Sequence, residues 1–310
     1  MNKLVVSSSP HIRTDSTTRR IMLDVLIALL PTAVAGTVIF GIKALWVMLV
    51  CVGFSVLSEF LFNLITKHTQ TVGDLSAAVT GLILALNLRA DAPLWQCAVG
   101  AVFAIIVVKC LFGGLGCNFA NPAVTGRIFI MICFATTVGG GMMPTVVDLA
   151  SSATPLEIMK GDTVNGLPSL PDMMLGLRGG AIGEVCAIAI LLGFAYLVYR
   201  GVIHFETPLI FIGTVFVLSL IISSDLTLSL YHVFSGGLLF GAVFMATDYV
   251  TTPITRSGKM IFAFGCGLIT VLIRFFGTYP EGVSFSILLM NILSPYIEKW
   301  TAKKPLGGKK

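Results

Sequence analysis

Long apolar runs recur along almost the whole chain, and only short polar stretches separate them. Only 11% of the residues are charged, whereas a soluble domain carries about 25%. Because so few charges cannot cover a water-facing surface, the chain is predicted to be an integral membrane protein. The runs are continuous and do not alternate with polar residues, which favours α-helices over barrel strands.

An α-helix needs about 20 apolar residues to cross the hydrocarbon core, and ten candidate segments can be marked. They lie at approximately 21–40, 44–65, 74–88, 94–112, 119–138, 180–199, 206–224, 229–247, 260–277 and 283–298. The predicted fold class is therefore an all-α membrane protein with about ten transmembrane helices.

The distribution of Lys and Arg predicts the orientation. With a cytoplasmic N-terminus, fourteen of these residues fall on the cytoplasmic side, Lys109 and five in the C-terminal tail among them. Five fall on the other side: Lys43, Arg89, Lys160, Arg178 and Arg274. Cytoplasmic loops are usually the richer in Lys and Arg. We therefore expect both termini in the cytoplasm and residues 139–179 on the outer side. Because this segment is rich in proline, it is predicted to be an ordered loop without a helix.

Two of the ten segments are short for a span. Residues 75–88 and 233–246 each offer only 14 mostly apolar residues, and each is the third in a set of five. Two pairs match at a constant offset of 160 residues: Gly81 with Gly241, and Pro93 with Pro253. Because each set has an odd number of spans, a second copy of the repeat would cross the membrane in the opposite orientation to the first. Short or broken spans at matching positions of such inverted repeats indicate a site between them. Chance likeness between glycine-rich apolar segments is the alternative.

This division predicts five regions along the chain. They are a cytoplasmic N-terminal segment at 1–20, a first five-helix repeat at 21–138, the extracytoplasmic loop at 139–179, a second five-helix repeat at 180–298 and a basic cytoplasmic tail at 299–310.

Charged side chains inside spans are costly and are functional candidates. Asp24 follows Arg20 by four residues, which predicts a local ion pair. Glu59 has no partner nearby in sequence, Arg127 needs an acceptor, and Asp248 ends the short eighth segment. Glu59 and Asp248 are candidates for an ion path, and the alternative is a structural pair with Arg127 or with another protein of a complex.

Polar residues beside the broken spans are a second set of candidates. Asp74 is the first residue of the third segment, and Asn121 lies near the start of the fifth. Freed backbone groups in a membrane must be satisfied by protein or face a lined cavity. Such side chains therefore either cap the short helices or contact a ligand.

The loop at 139–179 contains the sequence Ser-Ser-Ala-Thr-Pro-Leu at 151–156. Pro155 biases Thr154 toward an extended conformation, which would present its hydroxyl outward. A threonine hydroxyl alone is a poor nucleophile, so a role for Thr154 would depend on a group attached to it.

Four stretches carry a resemblance to a known family. They are Ser-Ser-Ala-Thr-Pro-Leu at 151–156, Asn-Pro-Ala-Val-Thr-Gly-Arg at 121–127, Phe-Met-Ala-Thr-Asp-Tyr-Val-Thr-Thr-Pro at 244–253 and Tyr-Pro-Glu-Gly-Val-Ser-Phe-Ser at 279–286. Over essentially its whole length the chain resembles the NqrB/RnfD family, membrane subunits of the sodium-pumping quinone reductase and of the Rnf electron-transport complex.

The resemblance implies a covalent cofactor. In this family a flavin transferase joins FMN through its phosphate to the threonine of a Ser-Gly-Ala-Thr motif, which corresponds here to Thr154. Ser152 stands where the family usually has glycine. A second flavin, usually non-covalent riboflavin, is also implied. Glu59, Asn121, Arg127 and Asp248 are then candidates for the ion path or for this second pocket.

The resemblance also implies a place in a complex. The partners would be Rnf subunits of the A, B, C, E and G types, especially the second FMN-carrying subunit and the membrane iron–sulfur pair. The complex would lie in the lipid of a bacterial inner membrane. The chain would act as a translocase subunit moving Na⁺ or H⁺, without a complete active site of its own.

The remaining sequence features predict no further binding site. No nucleotide-binding fingerprint is present, so NADH and ferredoxin would be handled by other subunits, and the charge pattern does not indicate nucleic-acid binding. Seven scattered cysteines without Cys-x-x-Cys spacing predict neither a metal site nor a disulfide framework. The rival interpretations are a cofactor-free secondary transporter or channel with inverted repeats, and a purely structural scaffold.

Overall fold

The structure, a computed structural model, describes residues 17–134, 154–160 and 167–302, and within them it contains helices and no β-strand. The first part holds α1 (Thr18–Phe40), α2 (Ile42–Ile65), α3 (Ser76–Leu86), α4 (Leu94–Phe103) and α5 (Pro122–Cys133). Then come α6 (Pro155–Lys160), α7 (Leu170–Leu175), α8 (Ala187–Tyr199), α9 (Glu206–Ser223), α10 (Leu226–Phe234), α11 (Leu238–Phe240), α12 (Arg256–Phe276) and α13 (Val283–Thr301). Two π-helical segments continue α4 and α11: Ala104–Cys110 and Gly241–Met245.

Among the described helices, α1, α2, α9 and α12 are long and apolar enough to cross a membrane. The bent pair formed by α10 and the segment Leu238–Met245 would make a fifth span. The chain is thus a multi-pass helical membrane protein. Helices lie at all ten predicted places, but α3, α5 and α8 have only 11 to 13 residues, so the count of ten spans remains a prediction.

Outward-facing side chains on the long helices are apolar. Val38, Ile65 and Ile221 are each more than 60% exposed, and Trp46 and Phe264 are also exposed. A soluble protein rarely leaves such a continuous apolar surface uncovered. These faces are therefore suited to contact with lipid.

Close helix crossings depend on glycine. A Cβ on Gly193 of α8 would lie 2.3 Å from the carbonyl oxygen of Ala28 in α1, and a Cβ on Gly81 of α3 would lie 2.8 Å from that of Cys51 in α2. Small residues allow this approach between membrane helices. Gly241, the predicted counterpart of Gly81, instead meets Val283 of α13. The two glycines therefore serve different contacts.

The sixth predicted span begins at Ala187 and not at residue 180. The non-helical segment before it stabilises the end of the short helix α3. Residues 180–186 are not helical. In this segment the Ile182 and Gly183 amides donate to the carbonyls of Leu88 and Leu86, at 3.0 and 2.7 Å. These bonds satisfy carbonyls that the end of α3 leaves free, as a helix end away from water requires.

The eighth predicted span is broken. Between α10 and α11 the axis bends by 61°, and Gly236 at the break has φ of +62°, a conformation that favours glycine. The Arg274 guanidinium donates to the carbonyls of His232 and Ser235 at the end of α10. A buried cation thus caps the broken helix.

The segment predicted as a loop without helices contains α6 and α7, so that prediction was wrong for these residues. Residues 135–153 and 161–166, including Ser152, lie outside the described residues, as do 1–16 and 303–310. At α3, Asp74 accepts a 2.7 Å hydrogen bond from the amide of Ser76, the first helical residue, although the N-cap itself is Leu75.

One ion pair predicted from sequence was wrong. Asp24 pairs not with Arg20 but with Arg200, just after α8, at 3.1 Å, and it also accepts a hydrogen bond from Tyr196. Lys109, counted on the cytoplasmic side, has a side chain only 2% exposed and pairs with Glu59. Spacing along one helix could not reveal partners supplied by another helix.

Candidate functional site

Thr154 lies on the wall of a cavity of about 930 Å³, part of it open solvent, which we name the Thr154 cavity. Its polar wall is formed by Asn87, Arg89, Arg127, Thr154, Glu157, Glu184, Tyr279 and Glu281. Met131, Leu156 and Pro280 add apolar surface. Residues far apart in sequence therefore line one cavity.

Thr154 is the N-cap of α6. The Glu157 amide donates to Thr154 Oγ1 at 3.3 Å, and the Thr154 amide donates to Glu157 Oε2 at 2.7 Å. This reciprocal pair is a capping box, and Pro155 at the first helical position suits it. The cap uses a lone pair of the hydroxyl and leaves its proton free.

Arg127, on α5, is the centre of a buried hydrogen-bond network. It donates to Asn87 Oδ1 at 2.9 Å, to Ser284 Oγ at 3.0 Å and to Glu184 Oε1 at 3.1 Å, and it also pairs with Glu281. These partners come from the end of α3, from α13 and from the segments before α8 and α13. The prediction that Arg127 needs an acceptor is confirmed, and two carboxylates serve as acceptors.

Glu281 holds two parts of the cavity wall together. It pairs with Arg127, and its Oε1 accepts a 2.6 Å hydrogen bond from the Gly237 amide at the helix break. Burial alone would raise the pKa of this carboxyl, but Arg127, the Gly237 amide and Arg274 outweigh it and lower the pKa. Glu281 is therefore held as a carboxylate.

A second arginine supports the backbone of the same wall. Arg178 donates to the carbonyl of Glu184 at 2.7 Å, and burial lowers its pKa to about 10. Even at that value the guanidinium is charged near neutral pH. It therefore fixes the segment that brings Glu184 to Arg127.

A second cavity, of about 790 Å³ and again partly open, lies toward the opposite ends of α1, α5 and α8; we name it the Asp248 cavity. Its polar wall includes Ser76, Thr80, Lys109, Asn118, Asn121 and Asp248. Val79, Ile83, Val243 and Phe244 supply much of the apolar wall. Two predicted candidates, Asn121 and Asp248, therefore share one site, separate from Arg127.

Glu59 pairs with Lys109, which also lines the Asp248 cavity. The Lys109 ammonium donates to Glu59 Oε1 at 2.9 Å and to Ser76 Oγ at 2.6 Å, and Thr71 donates to the same glutamate oxygen at 2.7 Å. Both charged side chains are 2% exposed. Glu59 Oε2 is buried and has no hydrogen-bond partner within the part of the chain that the structure describes. The proposed pairing of Glu59 with Arg127 was wrong.

Asn121 and Asp248 have local partners as well. Asn121 Oδ1 accepts from the amides of Ala123 and Val124 and so caps α5. Asp248 accepts from the Thr251 hydroxyl at 3.0 Å. Local hydrogen bonding and lining a cavity are therefore combined in the same side chains.

Met245 lies between the two cavities. Asn87, on the Thr154 cavity, donates to the Met245 sulfur at 3.4 Å, and Asn121, on the Asp248 cavity, donates to the Met245 carbonyl at 3.4 Å. Met245 belongs to the π-helical segment after α11, and such segments are frequent at functional sites.

Sequence reasoning missed three charged residues of these sites. Glu184 and Lys109 both fall inside predicted spans, so their cost in a membrane was the available signal. Glu281 belongs to the family-like stretch at 279–286, but nothing in the sequence singled it out as a site residue. Its position before the last predicted span gave no indication that its carboxylate would turn inward.

The fold and these sites define a class: a polytopic helical membrane protein whose bundle encloses two cavities, each beside buried ion pairs. Within that class, the model of the NQR2, RnfD, RnfE family matches residues 5–307, and the chain belongs to this family.

Three relatives show the range of similarity. In Acetobacterium woodii, the D-type subunit of the Na⁺-translocating ferredoxin:NAD⁺ oxidoreductase complex is 44% identical over 306 residues, covering 98% of this chain and 95% of the relative. The proton-translocating counterpart of Clostridium ljungdahlii is 40% identical over 320 residues, with 99% and 97% covered. In Escherichia coli K12 / DH10B, the D-type subunit of the ion-translocating oxidoreductase complex is 33% identical over 348 residues, with 98% and 99% covered.

Proposed function

We propose that the chain is the D-type membrane subunit of an Rnf complex, which couples electron transfer between ferredoxin and NAD⁺ to Na⁺ or H⁺ transport. Family membership and nearly full-length identity to subunits of such complexes support this. Similar identity to a sodium-translocating and a proton-translocating relative leaves both ions in the proposal. The chain would serve as a translocase subunit, and ferredoxin and NAD⁺ would bind elsewhere.

Thr154 is proposed to carry FMN through a phosphate ester. Thr154 is half-buried and lies on the wall of the Thr154 cavity, which Arg89 and Arg127 also line. Apolar surface from Met131, Leu156 and Pro280 suits an aromatic ring system.

The capping box at Thr154 is compatible with this ester. Esterification replaces the hydroxyl proton, which the cap does not use, and keeps the oxygen that the Glu157 amide contacts. The start of α6 could therefore keep its hydrogen bonds after modification. The flavin would supply the redox chemistry, while the chain holds its attachment point and sets the local charge.

A second, non-covalent flavin of the riboflavin type is proposed for the Asp248 cavity. Apolar walls with a few polar groups, Asn121 and Asp248 among them, suit an uncharged ring system. The neighbouring Glu59–Lys109 pair is proposed to lie on the ion path, because a buried carboxylate oxygen without a partner can accept a cation or a proton.

The topology proposed is two inverted five-helix repeats, with both termini in the cytoplasm and Thr154 on the outer side. In support, corresponding helices meet across the bundle: α1 packs on α8, and α5 packs on α13. Other Rnf subunits of the A, B, C, E and G types, chiefly the second FMN-carrying subunit and the membrane iron–sulfur pair, would surround the lipid-embedded bundle. A flavin transferase would modify Thr154.

Flavin fluorescence on a denaturing gel tests the attachment. Protein made with an active flavin transferase should give a fluorescent band that Thr154→Asn abolishes. Asn is a good N-cap but has no hydroxyl to esterify, so this variant should fold normally. Thr154→Ser, which keeps both functions, is the matched control and should retain at least part of the fluorescence. A fluorescent band from Thr154→Asn, or none from the wild type, would contradict the proposal.

The second candidate function is a cofactor-free transporter or channel, which the short α3 and the broken α10–α11 pair favour. Flavin extraction under conditions that leave the ester intact separates the two. The Rnf proposal expects one releasable flavin per chain, reduced by Asp248→Leu but not by Thr154→Asn. A transporter would release none.

A further inference from the structure

A third cavity lies between α6, α10 and α12 and encloses about 710 Å³, part of it open solvent. We name it the Arg274 cavity. It borders the Thr154 cavity, since Leu156 and Pro280 line both, but Thr154 itself is not on its wall. Nothing in the proposed flavin chemistry uses it.

Arg274 is the most deeply buried polar side chain on this wall, at 3% exposure. Two of its nitrogens donate to the carbonyls of His232 and Ser235, while Nε has no hydrogen-bond partner in residues 17–134, 154–160 and 167–302. Among the described residues, no carboxylate lies within 4 Å of this guanidinium. A buried N–H without an acceptor is costly and calls for an explanation.

Two further groups on the wall can bind the same ligand. His232 is 6% exposed, and no described residue forms a hydrogen bond with its Nδ1. Lys160 donates to the carbonyls of Gly277 and Tyr279, so one of its three N–H groups remains for a ligand. The three side chains come from three helices, and two of them are cationic.

We propose that the Arg274 cavity binds a phosphate group, either as free phosphate or as the headgroup of an anionic lipid. A tetrahedral oxyanion can accept hydrogen bonds from several directions, which fits donors converging from separate helices better than a planar carboxylate does. The apolar surface of Met159, Leu228 and Phe275 would accommodate the acyl chains of a lipid where they leave the headgroup. The alternative is that Arg274 only caps α10.

The test uses the whole complex in maltoside detergent after lipid removal, with the thermal midpoint Tm followed during titration. One arm adds inorganic phosphate, with chloride at matched ionic strength as its reference. The other arm adds short-chain phosphatidylglycerol, with the matched diacylglycerol as its reference. The variants are Lys160→Gln and His232→Phe, which spare the helix-capping arginine, and exposed Lys43→Gln is the control for loss of a surface charge.

We expect a saturable rise in Tm with a phosphate-bearing probe. Its midpoint concentration should increase at least tenfold, a loss of about 1.4 kcal/mol, in Lys160→Gln and in His232→Phe but not in Lys43→Gln. A response to inorganic phosphate identifies a free anion site, and a response to phosphatidylglycerol alone identifies a lipid site.

No response to either probe beyond its reference, or equal responses in wild type and both cavity variants, would overturn the proposal. Thr154→Asn, which lacks the attachment hydroxyl, should respond like the wild type. The phosphate site can therefore stand even if the flavin proposal fails.

Discussion

The Thr154 and Asp248 cavities both adjoin buried ion pairs, but the pairs are built differently. Arg127 joins the part of the chain before Thr154 to the part after it. Its partner Asn87 belongs to the first part, and its partners Glu184, Glu281 and Ser284 belong to the second. Among the described residues, the partners of Glu59 and Lys109 all lie between residues 59 and 109. The Thr154 cavity therefore requires both parts to be docked, whereas the Glu59–Lys109 pair needs only the first.

Loss of the shared cation should have the largest effect. Arg127→Met leaves Glu184 and Glu281 buried without their closest cation, and such a loss costs about 3–5 kcal/mol. We expect little folded protein by fluorescence-detected gel filtration. Arg127→Lys, which keeps the charge but not the forked geometry, should fold better. Equal yields of Arg127→Met and wild type would show that the network does not hold the two parts together.

The Glu59–Lys109 pair should behave as an independent unit. Lys109→Met strands a buried carboxylate and should cost about 3–5 kcal/mol, but adding Glu59→Gln should restore most of it. A matching attempt at the other cavity, Arg127→Met with Glu184→Gln, should recover much less because Glu281 remains. Thermal unfolding of the single and double variants gives both coupling energies. Similar recovery at the two sites would remove the distinction between them.

A smaller effect is expected at the helix break. A Cβ on Gly237 would lie 2.6 Å from Glu281 Oε1, so Gly237→Ala should cost about 1–3 kcal/mol through overpacking. Gly213 in α9 has nothing within 4 Å of the same position. Gly213→Ala is therefore the matched control and should be neutral or slightly stabilising in thermal unfolding.

Acid should weaken the Thr154 region modestly through Glu281. Its pKa in the folded protein lies below the ordinary value, so its stabilising effect is present above that ordinary value, about 4.3, and is lost as the pH falls through the folded pKa. We expect Tm below this pH to fall more steeply in wild type than in Glu281→Gln. Parallel curves would show that Glu281 does not control this acid sensitivity.

Sequence patterns predicted the helical class and the places of the ten segments, because apolar periodicity and length depend on local sequence. They also singled out Thr154 and Arg127. They did not predict that α8 begins at Ala187, since that start depends on the Ile182 and Gly183 amides satisfying the end of α3.

Ion pairing was the least predictable feature. Asp24 has Arg20 one helical turn away, yet its partner is Arg200, 176 residues along the chain. Glu59 finds Lys109 across 50 residues. Such partners are set by how helices pack, which spacing within one segment does not encode.

Met245 gives the molecule a point of mutual dependence. Its sulfur accepts from one asparagine and its carbonyl from the other, so a shift in this residue alters the lining of both chambers at once. Should the five-residue π-turn slip into ordinary helical register, an occupant on one side that favours one register would change the affinity for an occupant on the other. The second occupant would then change the affinity for the first by the same factor, because linkage between binding sites is reciprocal.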